Sequence, residues 1–99
     1  MRTPDAVRLV AALGAVEMVL VRRDPVAGPL LAQAARAGAG TGVDSWLAAA
    51  ARMLRDPGIW EDTPSAAARR KAVQALCRAA AHSVQADLLV AGRSGQVGQ

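Results

Sequence analysis

Apolar residues recur every three to four positions along most of the chain, a spacing that predicts α-helices. The first segment carries two such stripes, Ala6, Leu9, Leu13, Val16 and Leu20 and, beside them, Val7, Val10, Gly14, Met18 and Val21. Two adjacent stripes predict that more than half of the helix circumference is buried. We therefore expect this helix, ending near Arg23, to be either the centre of a bundle or a dimer interface.

Proline, glycine and capping residues predict the limits of the other helices. A short helix should lie between Asp24 and Gly38, and a third should run from a cap at Asp44 to about Arg55. We expect the third helix to pack through Trp46, Leu47, Ala50, Met53 and Leu54. The last helix should run from Pro64 to Ala91 and stop at Gly92. Its predicted buried face consists of Val73, Leu76, Cys77, Ala80, Val84, Leu88 and Ala91.

These elements predict an all-α fold, a compact bundle of four to five helices with long first and last helices. Residues 1–92 should form a single helical domain, and residues 93–99 a disordered tail. The chain has 99 residues, 53% of them hydrophobic, with two Trp and no Phe or Tyr. A core of Ala, Val and Leu buries little apolar area per residue, so we expect self-association to enlarge it.

The formal net charge is +4, and only Lys71 among the twelve basic residues is a lysine. Arg69, Arg70, Lys71 and Arg78 form the densest basic cluster, which favours nucleic-acid binding as an alternative function. Ala, Arg, Gly and Val are all frequent, as is typical of proteins from GC-rich bacterial genomes. That origin explains the charge without a nucleic-acid partner.

Reactive side chains are scarce. Cys77 is the one cysteine and His82 the one histidine, five residues apart on the same predicted helix. That spacing turns them away from each other, and a metal site needs several ligands, so we predict no metal. We expect Cys77 to be a buried, reduced thiol in a cytoplasmic protein, and His82 a solvated surface residue. With no nucleophile, base and orienting group to combine, we predict that the chain is not an enzyme.

The glycine-rich segment Gly38–Gly42 leads into the third helix without a following P-loop lysine, which favours a flexible loop. The sequence Gly42-Val43-Asp44-Ser45 resembles the Gly-x-Asp-Ser that carries the phosphopantetheine arm in acyl carrier proteins, which implies Ser45 as the attachment residue. The resemblance covers four residues. Trp46 stands where that family usually has Leu, and the family is acidic whereas this chain is basic. A helix start explains the four residues, so we predict no cofactor.

The apolar segment from Leu9 to Val21 is too short to span a bilayer and contains Glu17, so we predict no membrane partner. The predicted function is a non-catalytic protein–protein interaction or adaptor module, and we expect a homodimer. The candidate contact residues are Val10, Met18, Val21, Ile59 and Trp60. Trp60 has an alternative position, folded back over the core as a lid.

Overall fold

The computed structural model describes residues 3–97. They form four α-helices and one 3₁₀ helix: α1 (Thr3–Val21), α2 (Ala27–Ala37), α3 (Asp44–Leu54), η1 (Pro57–Trp60) and α4 (Pro64–Val97). The described part of the chain contains no β-strand, and α1 and α4 are its longest elements. The predicted all-α bundle with long first and last helices is therefore confirmed.

Each α-helix packs against two others, in the order α1, α2, α3, α4 and back to α1, and η1 packs against α3 and α4. The first predicted stripe of α1 faces the centre and is buried along its whole length; we call it the inner stripe (Ala6, Leu9, Leu13, Val16 and Leu20). Across from it, α4 buries Val73, Cys77, Ala80 and Val84. Leu76 and Leu88 are half-buried at the edges of this core.

The turn between α1 and α2 is tight because two residues have special roles. Arg23 has a φ of 57°, a left-handed conformation that stops α1. Asp24 stabilises the turn that follows, because its Oδ1 accepts a hydrogen bond from the amide of Val26 at 3.0 Å. As a result α1 ends at Val21, two residues before the predicted limit.

The glycine-rich loop between α2 and α3 has positive φ angles at Gly40 (82°) and Gly42 (87°), where glycine is the favoured residue. Asp44 does not cap α3 as predicted, because Val43 occupies the cap position and Asp44 is the first helical residue. Its Oδ2 instead accepts a hydrogen bond from the amide of Gly40 at 3.3 Å. The carboxylate therefore ties the loop to the start of α3.

Two further predictions need correction. Trp46 does not belong to the core of α3, since its side chain is exposed, whereas Leu47, Ala50, Ala51 and Leu54 are buried. Trp46 lies about 90° around the helix from the centre of that buried face. Helix α4 continues to Val97, six residues past Ala91, and includes Gly92 and Gly95, each of which costs only about 1 kcal/mol in a helix. The division into a domain of residues 1–92 and a tail of 93–99 stays a prediction; residues 98 and 99 lie outside the described range.

Candidate interaction surface

The outward face of α1 is apolar from its first turn to its last. Met18 and Val21 leave 61% and 70% of their surface exposed, and Val7 is exposed as well. Ala11 and Gly14 complete the row. We call these five residues the α1 strip (Val7, Ala11, Gly14, Met18 and Val21). Of the predicted second stripe, only Val10 falls outside this row, because it lies half-buried at its edge.

The α1 strip has the spacing of a coiled-coil seam. Its members follow one another at intervals of four, three, four and three residues, which is the alternation of a heptad repeat. The inner stripe follows the same period, and the centres of the two faces lie about 140° apart around α1. Packing within the bundle therefore leaves the whole strip open to solvent.

Gly14 lies at the middle of the strip. It is within a helix, and a Cβ placed on it would meet no heavy atom of its surroundings within 4 Å. No neighbouring side chain of this chain therefore demands glycine there. Together with Ala11, Gly14 makes the centre of the strip flat enough for another helix to approach closely.

Charged residues border the strip on both sides. On one side, Glu17 is partly buried and pairs with Arg78 of α4, with 3.2 Å between Oε2 and Nη2. On the other, Arg8 and Arg22 are exposed. Exposed pairs of this kind contribute at most about 1 kcal/mol to folding, so the bordering charges have more influence on which partner binds than on stability.

The C-terminal half of α4 adds a second apolar group at the same end of the bundle as Val7. The pair Glu17–Arg78 and the neighbouring position of Val21 and Gln74 show that α1 and α4 run antiparallel. Continuing that register brings Leu89, which is exposed, to the level of Val7. Leu89 and Val90 are therefore exposed apolar residues near the N-terminal end of α1.

The remaining candidate contact residues lie elsewhere. Ile59 is fully buried in the core, so we exclude it from the contact surface. Trp60 is half-buried and lines a cleft between η1, α2 and α3 together with Pro25, Pro29 and Arg55. The structure therefore agrees better with the alternative position, in which Trp60 folds back against the protein, than with a side chain that extends from a loop to contact a partner.

Most residues of the basic cluster at the start of α4 form hydrogen bonds or ion pairs with other residues of the chain. Arg70 is 8% exposed, and its Nη1 donates hydrogen bonds to the carbonyl oxygens of Ile59 (2.6 Å) and Glu61 (3.0 Å). A guanidinium group so placed joins η1 to α4, because it satisfies two backbone acceptors with one charged donor. Arg70 is therefore a structural residue and cannot reach a phosphate without leaving these carbonyls.

Arg69 is also engaged within the chain. Its Nη1 lies 2.5 Å from Oδ2 of Asp56, and Oδ1 of the same carboxylate accepts a hydrogen bond from the amide of Gly58. Both hydrogen bonds lower the pKa of the Asp56 carboxyl group, and the bond from Arg69 has the larger effect. With Arg78 paired to Glu17, Lys71 is the one member of the predicted cluster to which the structure assigns no ion pair or side-chain hydrogen bond within residues 3–97.

The reactive side chains do not come together. Cys77 is fully buried, and burial, followed by the nearby carboxylate of Glu17, raises the pKa of its thiol to about 12. His82 lies exposed on α4, and Ser45 lies exposed in the first turn of α3. Among the residues that the structure describes, no three His, Cys, Asp or Glu side chains gather in a group suited to a metal ion.

None of the described helices combines the length and apolar character needed to cross a membrane. Comparison with protein families, with curated proteins and with solved structures finds no match to this chain. The functional argument therefore depends on the surface described above.

Proposed function

We propose that the protein is a non-catalytic, cytoplasmic protein–protein interaction or adaptor module that associates with itself through the α1 strip. One observation carries the proposal: the outward face of α1 exposes an unbroken apolar row from Val7 to Val21. Apolar surface removed from water contributes about 25 cal/mol per Å², so a row of this kind favours association. The buried, unreactive Cys77 agrees with a reducing compartment.

The size of the surface limits the strength of association. A 19-residue helix is about 28 Å long, and two such helices in contact bury less than the roughly 800 Å² per partner of a standard stable interface. We therefore expect a dimer with a dissociation constant of roughly micromolar strength or weaker.

Sedimentation velocity over a range of protein concentrations tests the proposal. We expect the wild-type chain to shift from monomer to dimer, and the variant M18E to stay a monomer, because it places a charge within the α1 strip. The matched control is A48E, which adds the same charge at an exposed position of α3, outside the strip. A wild-type chain that remains strictly monomeric at millimolar concentration would overturn self-association.

Nucleic-acid binding is the second candidate, and the exposed cations Lys71 and Arg78 support it. Binding through phosphates must weaken steeply as salt rises, because counterions are released. A mobility-shift titration at low and at physiological salt, with wild type and with K71A/R78A, tests this alternative. Arg70 should not be used for the test, since its removal also breaks the joint between η1 and α4.

A further inference from the structure

We infer that the partner of the α1 strip is the α1 strip of a second copy of this chain, and that the two helices run parallel. This inference rests on the proposed self-association and adds the orientation of the two copies. Its basis is the combination of the heptad spacing of the strip with the charges on its borders.

In heptad terms, Val7, Gly14 and Val21 occupy d positions, and Ala11 and Met18 occupy a positions. The bordering residues then fall on the positions next to the seam: Glu17 at g, and Arg8 and Arg22 at e. In a parallel pair, each g residue faces the e residue five positions later in the other helix. The orientation of the two copies thus decides which of these charges meet.

A parallel pair places Glu17 of each copy opposite Arg22 of the other, so that two-fold symmetry forms this pair of opposite charges twice. The other g residue, Val10, faces Ala15, which extends the apolar contact. Glu17 can accept Arg22 while keeping its bond to Arg78, because only Oε2 is used in that bond and a carboxylate has acceptor sites on both oxygens. The parallel arrangement therefore joins charges that are complementary.

In an antiparallel coiled coil a positions face d positions, so two registers are available, one with Ala11 and one with Met18 opposite Gly14. When Met18 faces Gly14, Arg8 lies beside Arg22 of the other copy and Glu17 beside Glu17, so that like charges meet in a chain that is already cationic. When Ala11 faces Gly14, Glu17 lies beside Val10, and no pair of opposite charges forms. Both comparisons favour the parallel orientation.

Cysteine cross-linking tests the orientation. In a parallel pair, V7C should form a disulfide with its own counterpart, and so should V21C, since facing d positions lie within the Cα separation that a disulfide spans. In an antiparallel pair neither variant cross-links alone, whereas a mixture of V7C with M18C, or of A11C with V21C, does so according to the register. The native Cys77 does not interfere, because it is fully buried.

Two controls separate this inference from the proposed function. A48C, which lies outside the strip, should not cross-link, and M18E combined with V7C or with V21C should abolish cross-linking in either orientation. Cross-linking of V7C with M18C, or of A11C with V21C, without cross-linking of V7C or V21C alone, would overturn the parallel orientation and keep self-association. A dimer in which no cysteine of the strip cross-links, or a chain that stays monomeric, would overturn both.

Charge reversal gives an independent readout by sedimentation. R22E should weaken a parallel dimer by about tenfold or more, because a carboxylate then faces Glu17 twice. R8E changes the net charge equally but lies away from Glu17, so it should alter a parallel dimer by no more than about twofold. In an antiparallel dimer R22E would not weaken association, and both variants would strengthen the register that brings positions 8 and 22 together.

Discussion

Both faces of α1 are apolar and have the same spacing, but the inner stripe has three leucines where the α1 strip has none, and the fold buries only the inner stripe. The inner stripe is buried against α2 and α4, and the α1 strip is left in water. A monomer stabilised by one face has no need of the other. Hydrophobic periodicity shows how many faces of a helix are apolar. Only the assembled bundle shows which of those faces is buried and which stays exposed to solvent.

The largest difference between the two sides of α1 should appear in thiol chemistry. Cys77 packs with the inner stripe in the core, whereas M18C would place a thiol on the exposed strip. A pKa of about 12 in place of the usual 9.0 lowers the thiolate fraction at pH 8 by about 1000-fold. In a labelling assay with a thiol reagent, native wild type should therefore react at least about 1000-fold more slowly than M18C.

The same raised pKa predicts how stability depends on alkaline pH. Between about pH 9 and pH 12 the unfolded thiol is ionised and the folded thiol is not, so the folded state binds more protons and the free energy of unfolding falls as pH rises. The variant C77V should lack this part of the slope. Equal slopes for both proteins, or rapid labelling of native wild type, would contradict the assignment of Cys77 to the core.

Substitutions on the two faces should separate stability from association. Leu13 is fully buried, and L13A should lower the free energy of unfolding by about 2–5 kcal/mol through lost burial and a cavity. M18A removes an exposed side chain and should change the stability of the monomer by less than about 0.5 kcal/mol. Urea denaturation at low protein concentration measures both.

Sedimentation of M18A completes that test, because the variant should associate more weakly than wild type while folding equally well. Similar losses of monomer stability in L13A and M18A would show that the α1 strip is covered within the monomer, and the contrast between the two faces would then be lost.

The only stabilising effect concerns Gly14. Because a Cβ there meets nothing within 4 Å, G14A should raise the stability of the monomer by about 0.5–1 kcal/mol through the higher helix propensity of alanine. If another helix packs closely over Gly14, the same variant should weaken the dimer. Unfolding at low concentration and sedimentation at high concentration should therefore move in opposite directions.

Much of the fold could be predicted from local sequence. Pro64 and the alternation of apolar residues place the start and the buried face of α4, and the positive φ angles of Gly40 and Gly42 agree with the predicted loop. These features depend on near neighbours. The end of α4 was less predictable, because neither Gly92 nor Gly95 costs a continuing helix more than about 1 kcal/mol.

The candidate site was only partly predictable for a different reason. Met18 and Val21 could be identified as apolar and periodic, but their exposure depends on where α2 and α4 pack. The structural role of Arg70 depends on two carbonyl groups of the preceding turn, and sequence alone shows only another arginine in a basic cluster. Side-chain type indicates chemistry, whereas tertiary contacts determine whether that chemistry is free to act.

The ring order of the helices has a consequence for synthesis on the ribosome. Arg70 reaches carbonyl groups only 9 and 11 residues away, whereas Glu17 and Arg78 are 61 residues apart, and closing a longer loop costs more chain entropy. Helix α1 ends at Val21 and α4 begins only at Pro64, so α1 emerges long before its last neighbour exists. During that interval both apolar faces of α1 are exposed to solvent. The nascent chain is therefore most prone to aggregation before its synthesis is complete.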